Sequence, residues 1–445
     1  MLRTGRATSR GLRIAALSSL GLLVPGAARA AEAAEVSSGD TAWLLLSAAL
    51  VFLMTPGLAL FYGGLVRRKN ILSVLMQCFM IACLVSVQWV LVGYSLAFGP
   101  DRGGVVGGLE WACLRGVGAA PFADYAPGVP HQAFMIFQAM FAVITPALIL
   151  GAFAERMKFS AFCVFSLLWT TLVYDPVAHW VWGLGGFIRG WGALDFAGGT
   201  VVHVNAGLAA LAAALVLGRR LGYPDRLSPP HNLPLASLGA GILWFGWFGF
   251  NAGSALGAGG LATSAFVVTH TAAATAGLTW AVLDSVFARK PTMLGMITGV
   301  VAGLVAITPA SGFVTVPGAL AVGVGAAALP YLAVAFLKTR LGYDDSLDAF
   351  GVHGVGGVWG ALATGLFATA AVNPAGADGL LYGGGARLLG LQAAATAVTA
   401  VYSFVASGAL LFVVDRTVGL RVGEHDERVG LDLTQHREAA YTMLE

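Results

Sequence analysis

The sequence predicts an all-α polytopic membrane protein with eleven transmembrane helices. Of its 445 residues, 58% are hydrophobic and 11% are charged, and the mean hydropathy is +0.80. A soluble domain usually carries about a quarter of charged residues, so a soluble globular fold is excluded. The 61 glycines fit a bundle of packed membrane helices, because small residues let helix backbones approach closely.

Eleven stretches are long and apolar enough to cross a bilayer, which takes about 20 mostly apolar residues. They are residues 41–66, 71–98, 131–154, 159–182, 196–218, 233–252, 263–288, 292–309, 315–337, 349–370 and 387–414. Residues 1–30 are interpreted as a cleaved signal peptide, since four arginines precede a short apolar run and the sequence Ala28-Arg29-Ala30. The predicted organisation is therefore a signal peptide (1–30), an eleven-helix domain (31–415) and a tail (416–445).

Basic residues are distributed unevenly between alternate connecting loops. One set of loops holds twelve: Arg67, Arg68, Lys69, Arg156, Lys158, Arg219, Arg220, Arg226, Arg289, Lys290, Lys338 and Arg340. The other set holds four: Arg102, Arg115, Arg189 and Arg387. The positive-inside rule places the first set in the cytoplasm. The N-terminus is then outside, in agreement with a signal peptide, and the C-terminal tail is cytoplasmic.

Two Asp-to-His spacings lie inside or at the lip of apolar stretches. Asp195 precedes His203 by eight residues, and Asp345 precedes His353 by eight residues. Ionisable residues are costly inside a membrane and commonly mark functional sites. Eight helical residues rise about 12 Å, so both histidines should lie near the midplane of a hydrocarbon core about 30 Å thick. Because the two segments enter from opposite sides, we expect an inverted repeat of helices 1–5 and 6–10, plus an eleventh helix, with the site between the repeats.

The other ionisable residues receive plainer interpretations. His179 and His270 are expected to be satisfied core histidines, and Glu155 is expected to pair with Arg156 at a helix end. Four further histidines are expected in loops or the tail, in contact with solvent: His131, His231, His425 and His436. The four cysteines predict neither a disulfide framework nor a thiolate metal site. No cofactor or metal ion is predicted. A nucleic-acid partner is not expected either, because the basic residues lie in short loops and form no patch.

Six runs spread along the chain carry a family resemblance. They are Leu60-Phe-Tyr-Gly-Gly64, Ala152-Phe-Ala-Glu-Arg156, Asp195-Phe-Ala-Gly-Gly-Thr-Val-Val-His203-Val-Asn205, Gly246-Trp-Phe-Gly-Phe-Asn-Ala-Gly-Ser254, Phe350-Gly-Val-His-Gly354 and Val418-Gly-Leu-Arg421. Together they resemble the ammonium transporter (Amt/Mep/Rh) family, nearest its bacterial Amt branch. The resemblance implies a homotrimer in the cell inner membrane that serves nitrogen uptake. Each subunit would have its own narrow apolar pore.

The resemblance also implies an outer recruitment site and a constriction. Trp182 and Ser254 resemble the site that recruits ammonium, with Phe137 alongside. Phe141 and Phe250 resemble the stacked aromatic gate beneath that site. Apart from the resemblance, Trp182 fits an interfacial tryptophan, and the two phenylalanines at the gate fit core or lipid-facing residues.

The remaining implied roles concern the pore itself. His203 and His353 resemble twin histidines that line it, and Asp195 resembles the buried acid near the recruitment site. The Asp195 carboxylate can accept backbone N–H bonds in the turn at residues 197–199 and so fix the outer lip. Asp345 is its counterpart in the second motif. Three further aromatics match residues of the pore or vestibule: Phe61, Tyr174 and Trp247.

The predicted function is transport: ammonium is recruited, deprotonated and conducted as ammonia, with the proton relayed separately. Methylammonium is a further expected substrate. The resemblance implies a PII-type signalling protein as partner at residues 218–232 and a regulatory tail, whose plainer interpretation is a solvated tether. An ammonium sensor of the same fold is the alternative; a long appended signalling domain would favour it, whereas about thirty residues follow the last span. An intramembrane enzyme is disfavoured, because no carboxylate or cysteine joins the histidines at metal-ligand spacing.

Overall fold

The computed structural model describes residues 35–225 and 229–441 and is almost wholly helical. Within these residues, ten helices are long and apolar enough to span a membrane, and an eleventh apolar helix is shorter. In chain order they are α1 (Ser38–Leu65), α2 (Arg68–Phe98), α3 (His131–Phe153), α4 (Phe159–Trp191), α5 (Gly199–Leu217), α6 (Leu233–Gly253), α7 (Gly260–Phe287), α8 (Met293–Ile307), α9 (Val316–Leu341), α10 (Phe350–Phe367) and α11 (Arg387–Thr417). The signal peptide predicted at residues 1–30 lies outside the described residues.

The all-α membrane fold is confirmed, whereas the number of spans is not. The eighth predicted segment, 292–309, forms a helix of 15 residues, which is shorter than the roughly 20 that a span needs. Thr308 caps this helix and Pro309 follows it, and a proline at that position cannot continue a helix. A total of eleven spans therefore stays a prediction.

Five of the described helices contain a wide, π-helical turn. These turns are Trp89–Gly93 in α2, Thr170–Tyr174 in α4, Gly199–Val204 in α5, Ala333–Leu337 in α9 and Phe350–Val355 in α10. Such turns are rare and concentrate at functional sites. They occur in α4 and α9 and again in α5 and α10, which are equivalent helices in the predicted inverted repeat. The last pair contains the two histidines of the Asp-to-His motifs.

The tail folds back onto the loops of the basic set instead of forming a solvated tether. It contains two short helices, α12 (Glu424–Val429) and α13 (Leu431–His436). The Leu431 N–H donates to the Asn70 side chain at 2.8 Å, and the Ser73 N–H donates to Asp432 at 2.8 Å. Glu427 accepts from the Leu221 N–H at 2.6 Å. The tail thus contacts the loops before α2 and after α5.

The predicted pairing of Glu155 with Arg156 is wrong. The Glu155 carboxylate accepts from Arg67 at 2.9 Å and from Arg220 at 3.1 Å. Arg156 instead donates to the backbone carbonyl of Asp344 at 2.6 Å. Glu155 has a φ of +75°, so the chain turns sharply after α3 and the two neighbouring side chains reach different loops. Burial raises the pKa of Glu155, but its two arginine partners outweigh burial and leave that pKa lowered.

For the histidines outside the Asp-to-His motifs, some of the predicted positions are confirmed and others are wrong. His179 is a satisfied core residue, since its ring contacts Asp101 at 2.9 Å. His131 is buried against Trp111, with ring centroids 4.7 Å apart, so its predicted contact with solvent is wrong. His270 is exposed on the outer surface of α7, so its predicted core position is also wrong. The others are exposed or partly exposed: His231, His425 and His436.

Candidate functional site

The two motif aspartates cap the wide turns of α5 and α10. The Asp195 carboxylate accepts four backbone N–H bonds of 2.7 to 3.1 Å from residues 198–201. Asp345 accepts from the N–H groups of Ala349 at 3.1 Å and Phe350 at 2.7 Å. A carboxylate at a helix N-terminus satisfies N–H groups that lack helical partners, and its charge complements the helix dipole. Each cap thus fixes the start of the helix that carries a histidine.

His203 and His353 lie side by side where α5 and α10 cross. Their Nδ1 atoms are 3.3 Å apart, their ring centroids are 5.3 Å apart, and both side chains are buried. A hydrogen bond between two Nδ1 atoms needs one donor and one acceptor, so two neutral rings must adopt opposite tautomers. The Nε2 atom of His203 is buried and has no hydrogen-bond partner among the described residues.

Glycines permit this close crossing. A Cβ atom at Gly207 would lie 2.2 Å from the backbone nitrogen of Gly354. A Cβ atom at Gly357 would lie 3.0 Å from the Cβ atom of His203. Because only glycine leaves room at such distances, the backbones of α5 and α10 come close enough for the imidazoles to meet.

Three cavities lie in series along the bundle, and they are named outer vestibule, central cavity and inner vestibule after the orientation predicted from the basic loops. The outer vestibule, of about 270 Å³, is lined by Phe141, Trp182 and Ser254 among others. The central cavity, of about 10 Å³, contacts both histidines and is close to the smallest volume that holds one water molecule. The inner vestibule, of about 340 Å³, also contacts His353.

Two phenylalanine rings separate the outer vestibule from the central cavity. Phe141 lines the first and Phe250 lines the second, and their ring centroids are 4.3 Å apart. Phe137 packs edge-on against Phe141 with centroids 5.0 Å apart and stands outside the lining of these three cavities. Phe137 therefore supports the Phe141 ring by packing, and its expected place alongside the recruitment site stays a prediction.

The polar groups of the outer vestibule are held by backbone hydrogen bonds. The Ser254 hydroxyl donates to the Phe250 carbonyl at 2.9 Å, so its oxygen lone pairs remain available to accept. The Trp182 indole N–H donates to the Asp195 carbonyl at 2.9 Å. The cap at Asp195 and the aromatic wall at Trp182 are thereby connected.

The other predicted aromatics occupy different depths. Trp247 stacks on His203 with centroids 5.4 Å apart, and its indole N–H donates to the Thr308 hydroxyl at 2.9 Å. Phe61 lines both the central cavity and the inner vestibule. Tyr174 is buried in the wide turn of α4 beside another tryptophan and lines none of the three cavities.

Several residues of this region were not singled out from the sequence, among them Gln138, Thr308 and Arg189. Gln138 lines the outer vestibule, and its position three residues before Phe141 was an available signal, because residues three apart share a helix face. Thr308 gave no such signal, because it reaches Trp247 from a segment 61 residues further along the chain. Arg189 lies only seven residues after Trp182, and its loop position alone did not mark it as part of the site. Within the described ranges, no group of three or more His, Cys, Asp or Glu side chains lies close enough to hold a metal ion.

Nearly the whole chain is similar to known proteins. The sequence model of the Ammonium Transporter Family matches residues 42–441. An ammonium transporter of Bacillus subtilis (strain 168) is 54% identical over 403 residues, covering 91% of this chain and 98% of that relative. The crystal structure of Candida albicans Mep2 has a TM-score of 0.83 at 37% identity and covers 88% of each chain. A structure described as a sensor Amt protein has a TM-score of 0.82 at 30% identity, covering 89% of this chain and 98% of that chain.

Proposed function

This chain belongs to the ammonium transporter family, and from that premise we propose that it conducts ammonia through a pore lined by His203 and His353. The observation that carries the proposal is the buried imidazole pair between two vestibules. The Bacillus subtilis relative, which is named an ammonium transporter, supports the substrate. Methylammonium is the expected analogue.

The outer vestibule recruits the ion. Ammonium and potassium have the same charge and similar size, so selection needs a feature other than size. The Ser254 oxygen accepts an N–H bond, which potassium cannot provide. Aromatic faces at Trp182 and Phe141 add cation–π attraction of about 0.5 to 2 kcal/mol each.

The central cavity favours the neutral species. Burying an unpaired ion of this size costs several kcal/mol even after relaxation. With an amine-like pKa of about 10, removing the proton at pH 7 costs about 4 kcal/mol. The two costs are similar, so a small apolar cavity with imidazoles that hydrogen-bond ammonia shifts the balance toward deprotonation.

The imidazole pair provides a separate path for the proton. When His203 donates its Nδ1–H to His353, its Nε2 atom is free to accept a proton from the outer side. The Nδ1 proton then passes to His353, which releases its Nε2 proton toward the inner vestibule. One proton enters and one leaves, and the two rings exchange tautomers.

The proposal includes the arrangement around this pore. We assign eleven membrane crossings in a bacterial inner membrane, with the N-terminus outside and the C-terminus in the cytoplasm. The subunit assembles as a homotrimer, residues 1–30 are the signal peptide, and residues 416–445 are a regulatory tail. A PII-type protein contacts residues 218–232. The hydrogen bonds between the tail and the loops of the basic set support a regulatory role for the tail.

Charge movement in proteoliposomes tests the pore. Adding ammonium to the native protein should produce charge movement that potassium does not. Replacing both histidines, His203→Ala with His353→Ala, should abolish this selectivity. His270→Ala is the matched control, because that histidine lies on the outer surface of α7. Unchanged selectivity in the double variant would overturn the assigned pore lining.

An ammonium sensor is the second candidate, and the likeness to the sensor Amt protein favours it. Flux distinguishes the two functions. A native protein that binds ammonium in calorimetry and moves neither charge nor labelled methylammonium would be a sensor. Saturable uptake would establish a transporter.

A further inference from the structure

We propose that Arg189 sets the affinity of the outer vestibule for ammonium, acting as a fixed positive charge at its wall. The inference rests on the proposed recruitment of a cation in this vestibule. The inference concerns the affinity of the vestibule for ammonium, whereas the histidine pair concerns conduction through the pore. Arg189 lines the same cavity as Trp182 and Ser254.

The fold holds Arg189 in place. It lies in the last helical segment of α4, Phe187–Trp191, which follows Trp182 and is capped by Gly192 at a φ of +86°. Its guanidinium Nη1 donates to the backbone carbonyl of Trp182. The same tryptophan donates its indole N–H to Asp195 at 2.9 Å. The positive charge is therefore fixed beside the residue that forms the aromatic wall.

The other charges of the vestibule do not neutralise Arg189 by contact. The charged side chains of its lining are Asp124, Arg189 and Asp195. No carboxylate of the described residues lies within 4.0 Å of the Arg189 guanidinium. Asp195 keeps its charge but accepts four backbone N–H bonds, and Asp124 is exposed, so neither carboxylate forms an ion pair with Arg189. An entering cation thus meets a like charge that no ion pair cancels.

The dimensions of the vestibule set how strongly the charge of Arg189 can weaken the binding of ammonium. A volume of about 270 Å³ corresponds to a sphere about 8 Å across. Coulomb repulsion between unit charges about 8 Å apart weakens binding about twofold in a water-like dielectric and about thirtyfold at an effective dielectric constant of 20. Arg189 is exposed and salt screens it, so we expect a two- to tenfold effect.

Two substitutions separate charge from positioning. Arg189→Gln removes the charge and keeps an N–H donor, and it should lower the KM for ammonium two- to tenfold with kcat unchanged. Arg189→Lys keeps the charge and should leave the KM within about twofold of native. Asp124→Asn removes the opposite charge and should raise the KM. Arg115→Gln is the matched control, because this exposed arginine lies in an outer loop and, among the described residues, hydrogen-bonds only to Leu109 and Ala112.

The assay is charge movement in proteoliposomes against ammonium concentration, at low and at physiological salt. The native KM should fall as salt rises, and Arg189→Gln should remove most of that dependence. Equal KM values and equal salt dependence in native and Arg189→Gln proteins would overturn the inference. So would a rise in KM shared by Arg189→Gln and Arg189→Lys, which would indicate a positioning role at Trp182.

Calorimetric titration of ammonium chloride into the purified full chain separates this inference from the transport proposal. It reports the Kd without requiring flux. A lower Kd in Arg189→Gln supports the inference even if the native chain moves no charge, an outcome that would refute transport. An unchanged Kd overturns the inference even if the native chain transports ammonium.

Discussion

A methyl group at Gly207 perturbs the histidine pair without altering either imidazole. In Gly207→Ala the added Cβ would lie 2.2 Å from the nitrogen of Gly354, which adjoins His353. Contacts of a Cβ atom below 3.0 Å are essentially never seen, so α5 and α10 must separate by about 1 Å. The Nδ1 atoms, now 3.3 Å apart, would then lie beyond hydrogen-bond distance.

The expected cost follows from overpacking. Adding volume to a well-packed contact costs about 1 to 3 kcal/mol, while replacing a helical glycine with alanine gains about 1 kcal/mol. Gly408→Ala in α11 is the matched control, because its new Cβ would meet nothing within 4 Å and it makes the same helical gain. Gly207→Ala should therefore be about 1 to 3 kcal/mol less stable than Gly408→Ala.

Two measurements test this reasoning. Thermal unfolding of the detergent-purified proteins reports the stability difference, and charge movement in proteoliposomes reports the histidine pair. A misplacement of about 1 Å at a reacting centre costs up to about 100-fold in rate, so we expect a 10- to 100-fold loss of ammonium-dependent charge movement. Equal unfolding midpoints and equal transport in the two alanine variants would refute the reasoning.

Three further predictions concern the cap, the constriction and the loops of the basic set. Asp195→Asn should cost about 2–4 kcal/mol, more than Asp345→Asn, because it disturbs four N–H bonds instead of two; equal unfolding midpoints would contradict this. Phe250→Ala should join the outer and central cavities and admit potassium, so intact potassium exclusion would argue against the constriction. The lowered pKa of Glu155 stabilises the fold above the ordinary value of about 4.3, and this contribution is lost as pH falls through the lower folded value. In Glu155→Gln the unfolding midpoint should fall less steeply as the pH is lowered than in the native protein. An equally steep fall in both proteins would show that the Glu155 carboxylate does not cause this pH dependence.

The positions of the helices and the meeting of the two histidines could be predicted from the sequence. The length of an apolar stretch limits where a membrane span can lie. Each histidine follows its aspartate by eight residues, and the two segments are predicted to enter the membrane from opposite sides, so His203 and His353 are expected at the same depth. The structure then brings the rings to 3.3 Å between Nδ1 atoms. That distance depends on the glycine contact between α5 and α10, which pairs residues far apart in sequence.

The errors have physical causes of the same kind. Glu155 forms ion pairs with Arg67 and Arg220, which lie in two other loops. The sequence around Glu155 does not indicate that these three loops are in contact. His131 is buried because the loop that precedes α3 folds back and packs Trp111 against its ring. The wide turns could not be predicted either. The periodicity of apolar residues along a helix does not reveal one extra residue within a single turn.

The wide turns make the direction of each imidazole depend on one residue of chain length. In a helix of 3.6 residues per turn, deleting a residue rotates everything on one side by about 100° relative to the other. Shortening Gly199–Val204 or Phe350–Val355 by one residue would restore a regular α-helical turn. The histidine would then face a neighbouring helix or the lipid, although its identity had not changed. Deleting a single codon in either turn would therefore break the contact between the two imidazoles that lies between the vestibules.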